Sequence, residues 1–421
     1  MSVVHRESLA YLYGLQRFGI KLGLENIREL LARAGNPQHS MSLVHVAGTN
    51  GKGSVCNMLA ALIQKAGHRT GLYTSPHLHD FSERIRVDGA PISSQQIVTL
   101  TDQLKQLCGQ DIPATFFEFT TAMALCHFRD ERVAWGVLET GMGGRLDATN
   151  TVQPRVTVIT SIAQDHAEHL GGDLATIAAE KAGIIKPQVP VISAAQPPEV
   201  EEVLARQAAI QQAPLYRCGH DFHIVRSAAG LRYQGMTVSC DGLALPLAGD
   251  HQHENLALAL AACELAGLLD QADCVGAQEA LAGVAWPGRL EWWRGERRIL
   301  LDGAHNLAGC QTLAGYLQQQ QLSRVILLFG AKADKQAVKM LAELMPYAKE
   351  VLLAEPPVDA AADLAPLVKL ANASGVPVSC CVDLNETLRE RVVGIGDEDV
   401  LVVAGSLFLV AAVRELLMEM R

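Results

Sequence analysis

Several features typical of other protein classes are missing from this chain of 421 residues. It has no run of about 18 apolar residues, the length that a membrane-spanning helix requires. Its first residues, Met1 to Gly14, lack the apolar core of a signal peptide. The ten cysteines are scattered, with only Cys380 and Cys381 adjacent and no C-x-x-C pair. We therefore expect a cytoplasmic protein with reduced thiols, and neither a membrane span, a disulfide framework nor a zinc knuckle.

The charge balance excludes two further classes. Charged residues make up 19% of the chain and hydrophobic residues 49%, which is enough apolar material for sizeable cores and excludes a disordered chain. The net charge of −10 argues against a general nucleic-acid binder. The length predicts two or three domains.

Apolar runs alternate with helix-like segments in two series, which predicts α/β domains built on mainly parallel sheets. The first series predicts strands at Leu43–Ala47, Thr70–Thr74, Val133–Leu138, Val156–Ile162 and Val189–Ile192. The second predicts strands at Ile299–Leu301, Val325–Phe329, Val351–Ala354, Val376–Cys381 and Val400–Val403.

Between the two series, Asp221–Leu247 has the alternating pattern of a small antiparallel addition. We place one domain at 1–288, a smaller one at 299–421 and a linker at about 286–298. We expect two covered sheets that leave no exposed strand edge, and therefore a monomer.

The segment Val-His-Val-Ala-Gly-Thr-Asn-Gly-Lys-Gly-Ser, residues 44–54, predicts a phosphate-binding loop. It follows an apolar run and precedes a helix-like stretch, and its glycines allow backbone amides to surround phosphate oxygens. The spacing is a variant of the common G-x-x-x-x-G-K-[ST] loop. Lys52 can reach the outer phosphates, and the Ser54 hydroxyl can lie near magnesium. No Asn-Lys-x-Asp motif follows, so a G-protein is not expected.

Polar residues also follow the other predicted strands of the first domain, where ligands of parallel sheets bind. Glu139 suits a magnesium ligand, or it is a capping residue without a metal. Arg145 can hold an anion or pair with Asp147. His166 belongs to an H-x-x-H sequence that suggests zinc, but a solvated loop histidine is the simpler interpretation.

Two further features each allow two interpretations. Lys181 lies near the end of a predicted helix, where lysines are usually exposed. In the second domain, the loops Asp302–Asn306, Gly330–Lys335 and Ala404–Ser406 are either ordinary strand–helix connections, with Asn306 as a helix N-cap, or a second binding face.

Taken together, these motifs resemble the folylpolyglutamate synthases and the bifunctional dihydrofolate synthase/folylpolyglutamate synthases of the Mur-ligase superfamily. The resemblance runs nearly end to end. It is carried by the segments 18–27, 45–54, 74–78, 83–87, 115–118, 139–150, 165–166, 180–185, 287–289 and 302–306.

The resemblance implies a P-loop domain followed by a Rossmann-like domain that binds glutamate. It also implies an ATP-dependent amide ligase that joins L-glutamate to dihydropteroate, to folate polyglutamates or to both, through an acyl phosphate. ATP, L-glutamate and dihydropteroate or a reduced folate would be its partners, with two Mg²⁺ ions.

The resemblance also implies roles for individual residues. The catalytic residues would be Lys52, Glu139, His166 and Lys181, with Lys181 carrying a carbamate. ATP would contact Asn50, Gly51, Lys52, Gly53, Ser54, Asn255, Arg289 and Asp302. Magnesium would be held by Ser75, Glu139 and His166. The pterin side would use Phe117, Glu118, Leu146, Asp147 and Ala148, and glutamate would dock at His305 and Ser406.

Two positions depart from the family pattern: Leu307 stands where proline is common, and Asp334-Lys335-Gln336 replaces Asp-Lys-Asp. Two other functions stay open at this stage. One is a Mur-type ligase that adds an amino acid to a UDP-linked sugar peptide, and the other is a non-catalytic nucleotide-binding regulator.

Overall fold

The computed structural model describes residues 3–18, 23–165, 170–295, 298–396 and 398–420. His166 therefore lies outside the described residues. The chain divides into two compact units. Unit 1 contains most of the chain up to Val284, and unit 2 contains the residues from Ala285 onward with short segments that begin at Ala163 and Leu247. The linker at 286–298 stays a prediction.

Within the described residues, unit 1 is built on an eight-stranded sheet of order β4-β3-β2-β5-β1-β6-β7-β8. All neighbouring strands are parallel except the β2–β3 and β3–β4 pairs. The strands are β1 Ser42–Ala47, β2 Thr70–Tyr73, β3 Ile85–Val87, β4 Ala90–Pro91, β5 Trp135–Glu139, β6 Val156–Ile159, β7 Val191–Ser193 and β8 Leu215–Arg217.

Helices cover this sheet and bury apolar clusters against it. Capping boxes begin two of them: Ser93 pairs with Gln96, and Thr115 pairs with Glu118. The helices are α1 Val3–Gly14, α2 Glu25–Arg33, α3 Lys52–Lys65, α4 Ser94–Cys108, α5 Phe116–Asp130, α6 Leu174–Ala182, α7 Pro198–Ile210, α8 Asp250–Leu265 and α9 Cys274–Ala282.

The predicted antiparallel addition is confirmed. It consists of β9 His223–Ser227, β10 Gly230–Gln234 and β11 Ser239–Leu243 in the order β11-β10-β9. The expectation of reduced thiols is wrong for one pair, because Cys240 and Cys274 form a disulfide that joins β11 to the start of α9. These cysteines are 34 residues apart, and only the fold brings them together.

Unit 2 is a second α/β layer structure. Its sheet has the order β12-β13-β17-β14-β15-β16 and is parallel apart from the β12–β13 pair. The strands are β12 Glu291–Trp292, β13 Ile299–Leu301, β14 Val325–Phe329, β15 Ala348–Leu353, β16 Val378–Cys380 and β17 Val400–Ala404. The helices are α10 Leu307–Gln319, α11 Ala337–Leu344, α12 Ala365–Ala373, α13 Leu384–Gly394 and α14 Leu407–Glu419.

The α/β prediction with mainly parallel sheets is thus confirmed, but the argument for a monomer is not. β16 is an edge strand whose Ser379 and Cys380 are exposed, so a strand edge is accessible after all. The oligomeric state stays a prediction. Among the described helices, none combines the length and the apolar character needed to cross a membrane.

Candidate active site

The predicted phosphate-binding loop lies between β1 and α3, and two of its glycines are required by geometry. Gly48 has a φ of +154°, and a Cβ there would lie 1.8 Å from Oγ1 of Thr160. Gly51 has a φ of +89°, and a Cβ there would lie 2.5 Å from Oδ1 of Asn255. Other residues rarely adopt these conformations and would clash. The predicted nucleotide residue Asn255 therefore lies against the loop that it was expected to accompany.

Lys52, the first residue of α3, bends back over this loop. Its Nζ donates to the carbonyl oxygens of Gly48 and Thr49, both at 3.1 Å. The helix N-cap, Gly51, provides no side-chain cap, so amides of the first turn are available to an anion. Ser54 is buried in the same turn. A loop, a cation and a helix N-terminus thus surround one space suited to phosphate.

Glu139 and Ser75 meet at the ends of neighbouring strands. Glu139 ends β5 and is buried, and its Oε2 accepts from the backbone amide of Ser75 at 3.1 Å. The Ser75–Pro76 peptide is cis. A carboxylate and a hydroxyl provide the hard oxygen ligands that magnesium prefers. In the described part of the chain no cluster of three or more His, Cys, Asp or Glu forms a metal site.

Lys181 is buried, so the interpretation of an exposed lysine at a helix end is wrong. Its Nζ donates to the carbonyl oxygen of Gly48 at 2.8 Å, and the residue is 4% exposed. The last turn of α6 is held in place by its neighbours, because the amide of Arg145 donates to the Glu180 carbonyl at 2.7 Å. A second lysine amine thus reaches the phosphate-binding loop from a distant part of the sequence.

The loop that follows β5 is organised by Asp147. One carboxylate oxygen of Asp147 accepts from the amides of Gly141 and Met142, both at 2.9 Å. Burial raises the pKa of this carboxyl group. Arg145 pairs with Glu180 at 2.7 Å, so the suggested Arg145–Asp147 pair is wrong. Asp147 therefore stabilises the loop through backbone amides.

The residues predicted for the pterin side lie around this loop. The ring of Phe117 is packed so closely against Gly141 that a Cβ on that glycine would lie 2.6 Å from it. Leu146 is partly exposed and Ala148 is buried beside Asp147. Glu118 is buried, and its Oε2 accepts from the Thr115 amide at 2.8 Å, which gives it a capping role at α5.

The sequence interpretation assigned no role to a buried arginine near this pocket. Arg84 is 8% exposed, its Nε donates to Nδ1 of His77 at 2.7 Å, and its guanidinium lies 5.3 Å from the centre of the Phe116 ring. Burial, followed by the charge of Arg84, lowers the pKa of His77 to about 4. The sequence signal is the segment 83–87, which is part of the family resemblance, and Arg84 ends the short 3₁₀ helix that leads into β3.

In unit 2, Asp302 uses both carboxylate oxygens to organise its own loop. They accept from the amides of Leu290 at 2.8 Å and Ala304 at 2.9 Å. Burial raises the pKa of Asp302, and the charge of Arg289 opposes this shift. Arg289 donates to the Gly288 carbonyl at 3.2 Å. The two predicted nucleotide contacts of unit 2 are thus neighbours.

A polar network in unit 2 is centred on Asp165. Its carboxylate accepts from Nζ of Lys335 at 2.6 Å and from Nδ2 of Asn306 at 3.1 Å. Nε2 of His305 lies 3.7 Å from the same carboxylate. Asn306 also caps α10, as predicted, and Ser406 caps α14. Burial lowers the pKa of His305 to about 4.

Comparisons with known proteins agree with this arrangement. The model of the Mur ligase middle domain matches residues 46–263, and that of the Mur ligase glutamate ligase domain matches residues 288–407. The dihydrofolate synthase/folylpolyglutamate synthase of Bacillus subtilis is 34% identical to the chain, over 99% of both sequences. The relatives named here are folate enzymes, so the UDP-sugar alternative is not favoured.

Solved structures give the same result. Escherichia coli FolC in complex with DHPP and ADP is 30% identical and covers 98% of both chains with a TM-score of 0.88. The Mycobacterium tuberculosis folylpolyglutamate synthase in complex with ADP and AMPPCP is 33% identical, with the same coverage and TM-score. The chain belongs to the dihydrofolate synthase/folylpolyglutamate synthase family of the Mur ligases, whose members are ATP-dependent glutamate ligases.

Proposed function

We propose that this protein forms an amide bond between L-glutamate and the carboxylate of dihydropteroate, of a reduced folate or of both, at the expense of ATP. The observation that carries the proposal is the convergence of two lysine amines on one loop. Lys52 and Lys181 both donate to the carbonyl oxygen of Gly48, at 3.1 and 2.8 Å. The Lys52 amine and the helix N-terminus at this loop suit the phosphates of a nucleotide, and Lys181 lies close enough to serve a metal ion bound beside them.

The proposed reaction has two steps. An acceptor carboxylate oxygen attacks the γ-phosphorus of ATP, the bond to the bridging oxygen breaks, and an acyl phosphate and ADP form. The amino group of glutamate then attacks the acyl carbon, loses a proton, and the tetrahedral intermediate expels phosphate. The first step is needed because a carboxylate oxygen is a poor leaving group and phosphate is a good one.

We assign Lys52 to the charge that develops on the transferring phosphoryl group. Its present acceptors are backbone carbonyls of the loop itself, so its amine already lies where phosphate is expected. The phosphates would be bound in the loop and the first turn of α3, by Asn50, Gly51, Gly53 and Ser54. Asn255, which lies against this loop, would also contact the nucleotide. Arg289 and Asp302 are proposed as further nucleotide contacts in unit 2.

Ser75 and Glu139, together with His166, are proposed to hold up to two magnesium ions. When bound, magnesium would offset the negative charge of the phosphates during transfer. The hydrogen bond from the Ser75 amide to Glu139 keeps the carboxylate oriented toward the strand ends. The donor set of carboxylate and hydroxyl fits this ion.

Lys181 is proposed to carry a carbamate. Its neutral amine would attack CO₂, a nitrogen–carbon bond would form, and one proton would be released. The product keeps one N–H, which can still donate to the Gly48 carbonyl that the amine contacts at 2.8 Å. The two new oxygens would then be available to the metal site.

We propose that the acceptor binds among Phe117, Leu146, Asp147 and Ala148. Glu118 would support this site indirectly, by capping the start of α5. Glutamate is proposed to dock at His305 and Ser406. These assignments are supported by the position of the residues at the carboxyl ends of the strands in each unit.

The decisive experiment measures ADP release with matched acceptors. Purified protein is given ATP, Mg²⁺ and L-glutamate with dihydropteroate, tetrahydrofolate, a UDP-linked sugar peptide or no acceptor. We expect release with one or both folate compounds and background release with the others. Release with the UDP-linked compound alone would refute the proposal, and activity with one folate compound only would define the enzyme as a synthase of that single step.

A further inference from the structure

A buried histidine in the central strand of unit 1 has no part in the chemistry proposed above. His45 lies in β1, its side chain is fully buried, and its cross-strand neighbours are Leu138 and Thr157. Burial, with a smaller effect from the charge of Lys186, lowers the pKa of His45 to about 3, so the imidazole is neutral. Its Nδ1 has no hydrogen-bond partner among the described residues. An unpaired buried nitrogen is unfavourable. The hydrogen bonding of this side chain therefore depends on its other ring nitrogen.

That other nitrogen, Nε2 of His45, begins a chain of hydrogen bonds that leaves the sheet. It lies 2.8 Å from Oγ1 of Thr149, which in turn lies 2.5 Å from Oδ1 of Asp147. The second oxygen of Asp147 accepts from the amides of Gly141 and Met142. The chain therefore connects the rigid central strand to both ends of the loop 141–149.

The direction of each hydrogen bond follows from the number of protons. Asp147 is surrounded by four donors: the amides of Gly141, Met142 and Thr149, and the Thr149 hydroxyl. A carboxylate in this position acts only as an acceptor, so the Thr149 hydroxyl uses its single proton for Asp147. Its oxygen must then accept from His45, which fixes the neutral imidazole with its proton on Nε2.

We infer that His45 is a positioning residue for the acceptor side of the site. Its Nε2–H orients the Thr149 hydroxyl, this orients the Asp147 carboxylate, and the carboxylate shapes the loop through the Gly141 and Met142 amides. The inference rests on the proposed function, because this loop carries the residues assigned to the pterin ring.

An alternative is that His45 only supports β1, the strand that leads into the phosphate-binding loop at Gly48. The two roles make different predictions. A distorted β1 would weaken the binding of both ATP and the acceptor, whereas a broken chain of hydrogen bonds would weaken the binding of the acceptor alone.

Five variants separate these roles. His45→Gln keeps an N–H near the position of Nε2, and His45→Leu removes it. Thr149→Ser keeps the hydroxyl, and Thr149→Val removes it with little change of shape. Thr157→Val is the matched control, because Thr157 is fully buried on the strand beside His45 and its hydroxyl makes only a 3.5 Å contact with the Ile184 carbonyl.

Steady-state kinetics with dihydropteroate and ATP give the first readout. In His45→Leu and Thr149→Val we expect the KM for dihydropteroate to rise about tenfold, as for the loss of one hydrogen bond in a charged network. The KM for ATP should stay within about twofold. The double variant should be no worse than the poorer single variant, because both changes break the same chain. His45→Gln, Thr149→Ser and Thr157→Val should resemble the wild type. Parallel rises of both KM values, or an unchanged KM for dihydropteroate, would overturn the inference.

Hydrogen exchange of the full-length protein without ligands gives a readout that needs no activity. Peptides covering 141–149 should lose protection in His45→Leu and Thr149→Val and keep it in Thr157→Val. If the wild type releases no ADP with any acceptor, the proposed function fails while the exchange result still decides on the chain of hydrogen bonds. Unchanged exchange in both variants refutes that chain, and if His45→Leu does not fold, Thr149→Val decides alone.

Discussion

The two sheets present polar loops at the same topological position, yet the loops use their polar groups differently. In unit 2, Asp302 accepts from two backbone amides, and Asn306 and Ser406 each cap a helix. In unit 1, Lys52 and Lys181 donate to backbone carbonyls of the phosphate-binding loop. These groups of unit 2 thus stabilise the backbone of their own loops, while the loop after β1 in unit 1 gathers two lysine side chains. Substitution of these lysines in unit 1 should therefore impair catalysis more than folding, and substitution of Asp302 in unit 2 the reverse.

The largest effect is expected for Lys52→Ala. Turnover should fall about a thousandfold, the scale for losing one preorganised charge donor at a reacting centre, and the thermal unfolding midpoint should stay close to that of the wild type. The side chain is only partly buried and contacts loop carbonyls, so no core is disturbed. ADP release and calorimetry test this. Release at the wild-type rate would refute the assignment of the phosphate-binding loop.

Lys181→Ala should lower turnover up to about a hundredfold, because the carbamate oxygens that would support the metal site are lost, and acetate should restore part of the activity. Lys186→Ala is the matched control, because Lys186 is a nearby half-buried lysine that also donates to a backbone carbonyl, that of Asn150 at 3.3 Å. It should stay active. Native mass spectrometry under CO₂ should detect the adduct in the wild type, and a fully active Lys181→Ala protein would exclude it.

Glu139→Gln should raise the magnesium concentration needed for half-maximal activity about tenfold or more, because an amide replaces a charged ligand. His166→Ala is expected to act in the same direction. Glu118→Gln is the matched control, since glutamine keeps an oxygen for the Thr115 amide and the capping box tolerates it. Measuring the rate of ADP release at increasing magnesium concentrations distinguishes the two metal-site variants from the control. A normal titration for Glu139→Gln would leave this residue a structural role only.

In unit 2, Asp302→Asn should lower the free energy of unfolding by about 2 kcal/mol, because one backbone amide loses its acceptor in a buried site. Asp363→Asn is the exposed counterpart. Asp363 accepts from the Ala365 amide at 3.0 Å with one oxygen, which asparagine keeps, so this change should cost less than about 1 kcal/mol. Urea unfolding measures both. Unchanged stability together with a raised KM for ATP would instead assign the Asp302 carboxylate to the nucleotide.

An effect that is seen only at acid pH is expected for the buried histidine of β1. His45 is fully buried, and its pKa is lowered to about 3. Below pH 6.5 the unfolded chain binds a proton that the folded protein does not, so stability falls as the pH falls, by about 1.4 kcal/mol per unit at most. Between pH 7 and 5, His45→Gln should lose about 2 kcal/mol less than the wild type.

The sequence predicted much of this architecture because the relevant signals are local. The alternation of apolar runs with helix-like segments located the central strands of both sheets to within a few residues. The glycine-rich loop was recognised from its glycine, lysine and serine spacing between an apolar run and a helix-like stretch, and the structure shows positive φ angles at Gly48 and Gly51. The N-cap role of Asn306 follows from its own position and a strand before it, and the structure confirms it.

Other features could not be predicted because they depend on residues far apart. The bond between Cys240 and Cys274, the Arg145–Glu180 pair and the Lys335–Asp165 pair join positions between 34 and 170 residues apart. Lys181 was ambiguous because a helix end alone does not reveal burial. The exposed edge at β16 was missed because no single segment of the sequence shows the order of the strands in the sheet.

By itself, the sequence determined the central strands of both sheets, the position of the phosphate-binding loop and the family, since apolar runs, glycine spacing and motif order are properties of short stretches. The tertiary structure alone decided which polar groups meet. It brought Lys181 into hydrogen-bond contact with Gly48, and Glu139 with Ser75. It also joined His45 to Asp147 through the Thr149 hydroxyl. The physical reason is that parallel strands bring their carboxyl ends to one edge in an order set by the sheet rather than by the chain.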